Sequence, residues 1–290
     1  MASTFKAPKY VHRFDSFTAF VDYANGPTDM PLNERSSHRN YGSSWDECST
    51  FEEAIELAYR GWSQVRNDVQ AVTATVLPAL RDALPEQHVV QHDVTGACVD
   101  MGAFLSGVPE CMLSFVPEPV DSKGKVVTIL ASISCSGMVQ ADDIRARGAA
   151  ICALVECMAL LDHQVEIWCE AHCGEITHVV RVKGAGDPLD LDTVMFALAH
   201  PAMFRRLAFA AEEREPAAIR RANGVGSGYG GKGHEWGFLT QSEALGADIL
   251  LPSDSYMGYT DPEDRFSKAD RANPSGWVQR QLRKRGLLPE

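Results

Sequence analysis

The glycine-rich segment GVGSGYGGKGHEW, residues 224–236, has residue types that bind phosphate in other proteins. Its spacing fits G-x-G-x-x-G, and Gly226, Gly231 and Lys232 also fit G-x-x-x-x-G-K. Such loops bind phosphate through backbone amides when they join a buried strand to a helix. Here a charged, helical segment precedes the loop and a poor helix start follows it. Gly233 also replaces the Ser or Thr that would hold magnesium. We therefore predict a flexible loop or hinge that a partner orders, not a nucleotide site.

A second candidate is the serine cluster SISCSGM, residues 132–138, between an apolar strand and a long predicted helix. In open α/β sheets, ligands bind at the carboxyl ends of strands. The spacing resembles the D-x-S-x-S-G/M loop of von Willebrand factor A-like domains, and the order of strands, loops and helices is similar to that family. The resemblance covers about residues 121–260. It implies a layered sheet with helices on both faces and a site for a divalent metal ion.

The resemblance also implies which residues would hold that ion. In the family, an Asp and two Ser bind it together with a Thr from a second loop and an Asp from a third. The matching candidates here are Ser134, Ser136, Asp187 and Asp254. Ser132 replaces the leading Asp and the second loop lacks a Thr, whereas magnesium prefers carboxylate oxygens. We expect a degenerate relative with weak magnesium binding or none. The alternative is an unrelated doubly wound sheet whose serines cap the following helix.

Two further patterns are weaker candidates for chemistry. Cys169, His172, Cys173 and His178 form C-x-x-H-C-x₄-H, and zinc accepts such ligands. The two cysteines flank a predicted hairpin, however, and the spacing matches no familiar zinc pattern. We therefore favour buried thiols over a metal site.

Nucleophilic catalysis by Ser134 or Cys135 is the other weak candidate. It would require a nearby His and an orienting acid. The G-x-S-x-G elbow is absent, and no paired-carboxylate motif stands out. We predict no catalytic residue, and a hydrolase with an unrecognised site remains an alternative.

The last third of the chain carries cations and aromatic residues that together favour binding of single-stranded nucleic acid or a protein. The alternative is ordinary surface arginines and core aromatics. The candidate residues are Arg205, Arg206, Arg220, Arg221, Lys232, Arg280, Arg283, Lys284, Arg285, Tyr229 and Trp277.

The charge distribution limits which of these partner classes the chain is expected to bind. The 290 residues carry a net charge of −12, which disfavours nucleic acid overall. Residues 46–120 hold 3 basic and 12 acidic residues, whereas residues 265–290 hold 7 basic and 2 acidic ones. We find no signal peptide and no apolar run of the roughly 18 residues that would cross a membrane. These features, together with 8 cysteines lying mainly in apolar segments, predict a cytosolic protein with free thiols.

Sequence periodicity predicts the elements that carry these residues. Ser49 and Thr50, with Glu52 and Glu53 three residues beyond them, form a capping pattern that starts a helix, which pauses near Gly61 and continues afterwards. From residue 121 onward, apolar strands alternate with helices, which predicts a layered α/β domain. We therefore expect a mixed, mainly helical region over 1–120 and a von Willebrand A-like domain with a C-terminal helix over 121–290.

The order of the STFEEAIELAYRGW helix, the VDMGAFLSGVPECM segment and the α/β domain resembles uncharacterised accessory proteins of tailed bacteriophages. That resemblance implies action inside an infected bacterium, in replication or transcription, and adds no catalytic residues. Our leading hypothesis is a non-enzymatic accessory protein that binds a protein or single-stranded nucleic acid. The alternatives are a metal-dependent adhesion module and the hydrolase.

Overall fold

The computed structural model describes residues 8–83, 86–119, 124–226, 235–253 and 261–288. No helix in this part of the chain is long and apolar enough to cross a membrane. The strands described are β1 (Tyr10–Phe14), β2 (Glu86–Asp93), β3 (Cys98–Val99), β4 (Met112–Pro119), β5 (Val126–Ser132), β6 (Gln164–Cys173), β7 (Ile176–Lys183) and β8 (Ile249–Leu251).

Helices surround and connect these strands. The α-helices described are α1 (Phe17–Asn25), α2 (Ser43–Asp46), α3 (Phe51–Arg60), α4 (Arg66–Ala83), α5 (Met101–Leu105), α6 (Ala141–Leu160), α7 (Leu191–Ala199), α8 (Phe209–Glu212), α9 (Ala217–Asn223), α10 (Glu235–Leu245), α11 (Lys268–Ala272) and α12 (Pro274–Lys284). Short 3₁₀ helices occur at Leu32–Glu34, Ser36–His38 and Pro262–Asp264, and a π-helical segment spans Met203–Ala208.

The main sheet has five strands in the order β1-β7-β6-β5-β8. β5 is parallel to both β6 and β8, so these three strands end at one edge of the sheet, here called the carboxyl edge. β7 is antiparallel to β6, and β1 is parallel to β7. These last two strands therefore end at the opposite edge, here called the amino edge.

Both faces of this sheet are covered by helices. The apolar run VVTILAS in β5 alternates its side chains between two cores. Ile129 packs into the large core, which also includes the buried side chains of α6. Leu130 packs on the other face with Trp168, Val179 and Phe238, the last of which comes from α10. The layered α/β fold with helices on both faces is confirmed, and its arrangement is compatible with von Willebrand A-like layering.

The predicted start and pause of the first long helical stretch are confirmed. α3 begins at the N-cap Thr50, whose Oγ1 accepts from the Glu53 amide at 3.1 Å, while Glu53 Oε2 accepts from the amide of the preceding Ser49 at 2.6 Å. Gly61 ends the helix with a φ of 82°, a left-handed conformation that favours glycine. α4 then begins at Arg66.

The predicted division at residue 120 does not correspond to two cores. The large core contains buried residues from Phe17 through to Leu288. β1 joins the main sheet, α3 packs on α7, and α4 packs on α6 and α12. The N-terminal helices therefore pack as part of the α/β body. Residues 86–119 form a separate three-stranded sheet.

Two elements differ from the sequence prediction. We predicted no strand over 10–14, where β1 pairs with β7. A poor helix start was predicted after the glycine loop, yet α10 begins at Glu235. The preceding helix α9 is as predicted. Residues 227–234 of the glycine loop, which include Tyr229 and Lys232, lie outside the described residues.

Candidate functional site

The residues predicted to hold a metal ion are not brought together by the main sheet. Ser134 follows β5 at the carboxyl edge, is 3% exposed, and accepts from the backbone amide of His172 at 2.9 Å. Asp187 follows β7 at the amino edge, where its carboxylate accepts from the amide of Gly184 at 2.8 Å. These two candidate ligands therefore lie at opposite edges of the sheet. Asp254 lies outside the described residues.

The other serines of the cluster contribute to local structure. Ser136 Oγ accepts from the amide of Met138 at 3.3 Å, within the turn that leads to α6. The N-cap of α6 is Gln140, whose side chain makes no capping hydrogen bond. The serines of the cluster thus do not occupy the N-cap position of this helix.

Glu170 forms the centre of a buried polar network that the sequence reasoning missed. Its fully buried carboxylate accepts from Ser132 Oγ at 2.8 Å and lies 3.0 Å from Nδ1 of His172. The sequence feature that could have revealed this network is the alternation in QVEIWCEAHC, which places Glu170 and His172 on one face of β6. In a serine hydrolase the imidazole lies between the serine and the acid. Here the acid lies between them, so this network is not arranged as a catalytic triad.

The candidate zinc ligands point to different faces of the sheet. The register of β6 and β7 places Cys169, Cys173 and His178 on one face and His172 on the other. Both thiols are buried, and burial raises their pKa values, so they remain protonated at neutral pH. The two cysteines thus behave as small core residues, as the favoured interpretation predicted.

A small cavity at the carboxyl edge is lined in part by Cys135 and His200. His200 is 3% exposed, and its Nδ1 accepts from the amide of Ala202 at 3.1 Å. Its ring packs edge-on against Trp62, with 4.6 Å between the ring centroids. Burial, followed by the charge of Arg145, lowers the pKa of His200 to about 4. This ring is therefore neutral at physiological pH.

We expect His200 to make the protein less stable as the pH falls from about 6.5 to about 4. Over this range the ring binds a proton in the unfolded chain but not in the folded one, so acid favours unfolding. The contribution is about 2–3 kcal/mol by pH 4. His200→Asn retains an acceptor for the Ala202 amide and removes the titrating ring. Urea unfolding at pH 7 and pH 4 should show a smaller loss of stability for this variant. The control is His92→Asn, at an exposed histidine, and equal losses for H200N and the unmodified protein would contradict the assignment.

Arg205 and Arg206, which were predicted to contact a partner, are each 1% exposed. Arg205 stacks over the ring of Trp45 at 4.4 Å and donates to the carbonyl oxygen of Val139 at 2.5 Å. Nη2 of Arg206 lies 2.9 Å from the carboxylate of Asp46. Neither guanidinium is accessible to a phosphate backbone. Both side chains instead join the π-helical segment to the short helix α2.

The cations of α12 take part in ion pairs with neighbouring aspartates. Lys284 and Arg285 both pair with Asp264, at 2.9 and 3.1 Å, and Arg280 pairs with Asp270 at 3.0 Å. These contacts neutralise much of the positive charge that the sequence concentrates in this segment. They also fasten α12 to α11 and to the adjacent 3₁₀ turn.

Trp277, predicted as a stacking platform, lies in the core. It is 1% exposed, and its indole N–H donates to the carbonyl oxygen of Arg265 at 3.0 Å. Arg220 is 8% exposed and held by an ion pair, whereas Arg221 and Arg283 are exposed. The predicted binding residues are therefore divided between the core and the surface.

The small sheet formed by residues 86–119, here called the arm, is the described segment with the most exposed apolar side chains. β4 pairs antiparallel with both β2 and β3, and α5 lies between β3 and β4 in the chain. No described side chain from 89 to 116 is buried. Concentrations of exposed apolar side chains mark interaction sites. The exposed large apolar residues of the arm are Val90, Val94, Val99, Met101, Phe104, Leu105, Val108 and Phe115.

The arm is also acidic, with five Asp or Glu residues and no Lys or Arg. Asp100 caps α5, the helix of the arm that carries Met101, Phe104 and Leu105. The carboxylate of Asp100 accepts from the amides of Gly102 and Ala103 at 2.9 and 3.2 Å. A contact with Nε2 of His92 at 3.1 Å, together with these amides, lowers the pKa of Asp100. The carboxylate therefore stays ionised beside the exposed apolar side chains.

One protein family matches almost the whole chain. Residues 3–288 match the family described as Domain of unknown function (DUF7192), and the chain belongs to this family. No curated protein and no solved structure matches the chain significantly. The match assigns no chemistry, so a function must be argued from the described side chains.

Proposed function

We propose that this member of the family acts by binding a protein partner through the arm, residues 86–119. The observation that carries the proposal is that no described side chain from 89 to 116 is buried, although the arm holds eight large apolar side chains that face solvent. A three-stranded sheet gains stability chiefly by burying one face. A partner that covers these side chains would supply that burial.

The charge of the arm defines the chemistry of the partner. The sequence of the arm contains five acidic residues and no Lys or Arg. Complementary potentials steer association and reject partners of like charge. We therefore propose a partner surface that is apolar at its centre and carries Lys or Arg at its rim.

The same charge favours a protein over nucleic acid as the occupant of the arm. Binding to nucleic acid depends on neutralising phosphates with cations, and the arm contributes only acids. Arg280 and Lys284 of α12, and the adjacent Arg285, pair with Asp264 or Asp270. The proposed setting remains the cytoplasm of an infected bacterium, where the chain would act as an accessory protein.

A photocrosslinking experiment tests the arm directly. A benzophenone analogue of phenylalanine placed at Phe104, 59% exposed, should capture the partner in bacterial cells that express the chain. The same analogue at Met138, which is 84% exposed but outside the arm, is the matched control. The captured protein should then be purified and its Kd measured. Changing Phe104 and Leu105 to Ser should raise Kd by about 30-fold or more, as expected for central apolar anchors, whereas Met138→Ser should leave it unchanged.

Other outcomes would redirect or overturn the proposal. Equal crosslinking at both positions, or a Kd unchanged by the double variant, would contradict it. A dimer in sedimentation that the double variant dissociates would make a second copy of this chain the occupant. Salt-dependent binding of a single-stranded oligonucleotide, lost on changing Arg221 and Arg283 to Ala, would favour the nucleic-acid alternative.

The proposed basic rim has its own test. Asp93→Lys should slow association with the captured partner, and the difference should shrink as salt is raised, because the attraction is long-range and screened. Glu34→Lys changes the charge by the same amount at an exposed position outside the arm and should have little effect. Equal effects of the two variants would indicate a response to net charge alone.

A further inference from the structure

A separate cluster of ionisable side chains lies where β1 meets β7. His12 of β1 is directly opposite His178 of β7 in the sheet register, and their rings stack with 5.2 Å between centroids. Glu215 follows α8 and approaches both rings. One ligand atom from each of these three residues lies within 4.8 Å of the other two. Three separate elements thus bring two imidazoles and a carboxylate together.

The polar atoms of this cluster lack hydrogen-bond partners. His178 is fully buried, and neither of its ring nitrogens has a partner of acceptable geometry. Nε2 of His12 and Oε1 of Glu215 lie 2.5 Å apart at ion-pair distance, but neither atom has a hydrogen bond of acceptable geometry. Buried polar groups in proteins nearly always have hydrogen-bond partners. A buried imidazole without one therefore indicates a site where a ligand binds.

Aromatic rings and a second buried carboxyl group surround the cluster. Phe14, Phe20 and Tyr23 pack around the ring of His178. Glu212 is fully buried and interacts electrostatically with Glu215. Arg214 is the nearby cation, with its guanidinium 4.5 Å over the ring of Tyr23.

We propose that His12, His178 and Glu215 bind a divalent transition-metal ion of the zinc class. Two imidazoles and a carboxylate are a common ligand set for zinc. Ligand atoms on one tetrahedral zinc lie about 3.4 Å apart, so Glu215 would move by about 1 Å from its contact with His12. The side chain of His12 is 36% exposed, so the site lies near solvent.

The ion would have a structural role, because its ligands come from β1, β7 and the segment after α8. It would fasten the N-terminal strand to the edge of the main sheet. This inference does not depend on the arm, which contributes none of these residues.

Zinc alone is the probe for the first measurement. The purified chain should be treated with EDTA, dialysed, and titrated with Zn²⁺ while its melting temperature is recorded. One equivalent should bind, and the melting temperature should rise by about 5 °C at a hundredfold excess over Kd. Co²⁺ should give visible absorption bands of a nitrogen- and oxygen-ligated site, without the intense band of thiolate ligation.

Variants assign the site and separate it from adventitious binding. Glu215→Gln and His12→Gln should each weaken zinc binding by about 100-fold or more, since a ligand contributes more than its outer-shell partners do. His178→Phe suits the aromatic surroundings and should abolish binding while keeping the fold, which circular dichroism would verify. His92→Gln alters an exposed His–Asp pair and is the control. Absence of stoichiometric zinc and cobalt binding, or equal binding by all four variants, would overturn the proposal.

Discussion

Replacing Asp46 with alanine is expected to lower the free energy of unfolding by about 3–5 kcal/mol. Asp46 is fully buried, and its Oδ2 lies 2.9 Å from Nη2 of Arg206, which is 1% exposed. Arg206 also donates to the carbonyl oxygens of Ser37 and Cys48 at 2.8 and 3.1 Å. The variant would leave this guanidinium buried and without its counter-charge. Urea unfolding at neutral pH measures the loss.

An exposed ion pair provides the control for this experiment. Asp142 contacts Arg145, but its side chain is 81% exposed, so Asp142→Ala should cost less than about 1 kcal/mol. Changing Asp46 to Leu and Arg206 to Met together should cost less than the Asp46→Ala variant alone, because no uncompensated charge remains. Similar losses for Asp46→Ala and Asp142→Ala would contradict the role given to the buried pair.

The main elements of the fold could be predicted from local sequence patterns. Helical periodicity and a capping box located α3, and the β-branched run VVTILAS located β5. β1 could not be found in this way, because YVHRF is short, carries the adjacent polar residues His12 and Arg13, and pairs with β7 more than 160 residues away. α10 was not predicted, because glycines precede it and its stability depends on the packing of Phe238 against the sheet.

The candidate metal site failed although the predicted hairpin between β6 and β7 already implied that these strands run in opposite directions. The loop carrying Asp187 was aligned with a ligand loop on the order of elements alone. The antiparallel pairing of β6 with β7 carries that loop to the amino edge, away from Ser134. Similarly, no sequence signal distinguishes Arg205 and Arg206 from surface arginines, since the π-helical segment turns both inward.

The unsatisfied cluster on β1 and β7 was beyond sequence reasoning for a related reason. His12 and His178 are far apart in the chain, and no spaced motif contains both of them. They meet because a non-local parallel pairing sets them side by side. Had β1 been predicted with its register, the buried position of His178 would have made a histidine pair the first candidate for a metal site.

Replacing Trp277 with alanine is expected to cost about 3–5 kcal/mol of stability. The side chain is 1% exposed and packs edge-on against Phe266, with 5.5 Å between ring centroids. Its removal would leave a large cavity between α12 and the core and would remove the indole donor from the carbonyl oxygen of Arg265. Thermal and urea unfolding of the purified variant measure the effect.

The comparison with Trp277→Phe separates a packing role from a binding role. Phenylalanine keeps an aromatic ring but lacks the indole N–H, so this variant should retain more stability than Trp277→Ala. Tyr41→Ala, at an exposed aromatic side chain, should cost much less. A stacking platform would behave differently, since its loss weakens oligonucleotide binding while the fold keeps its stability. That second result would return Trp277 to the surface role that the sequence predicted and would reopen nucleic acid as the partner.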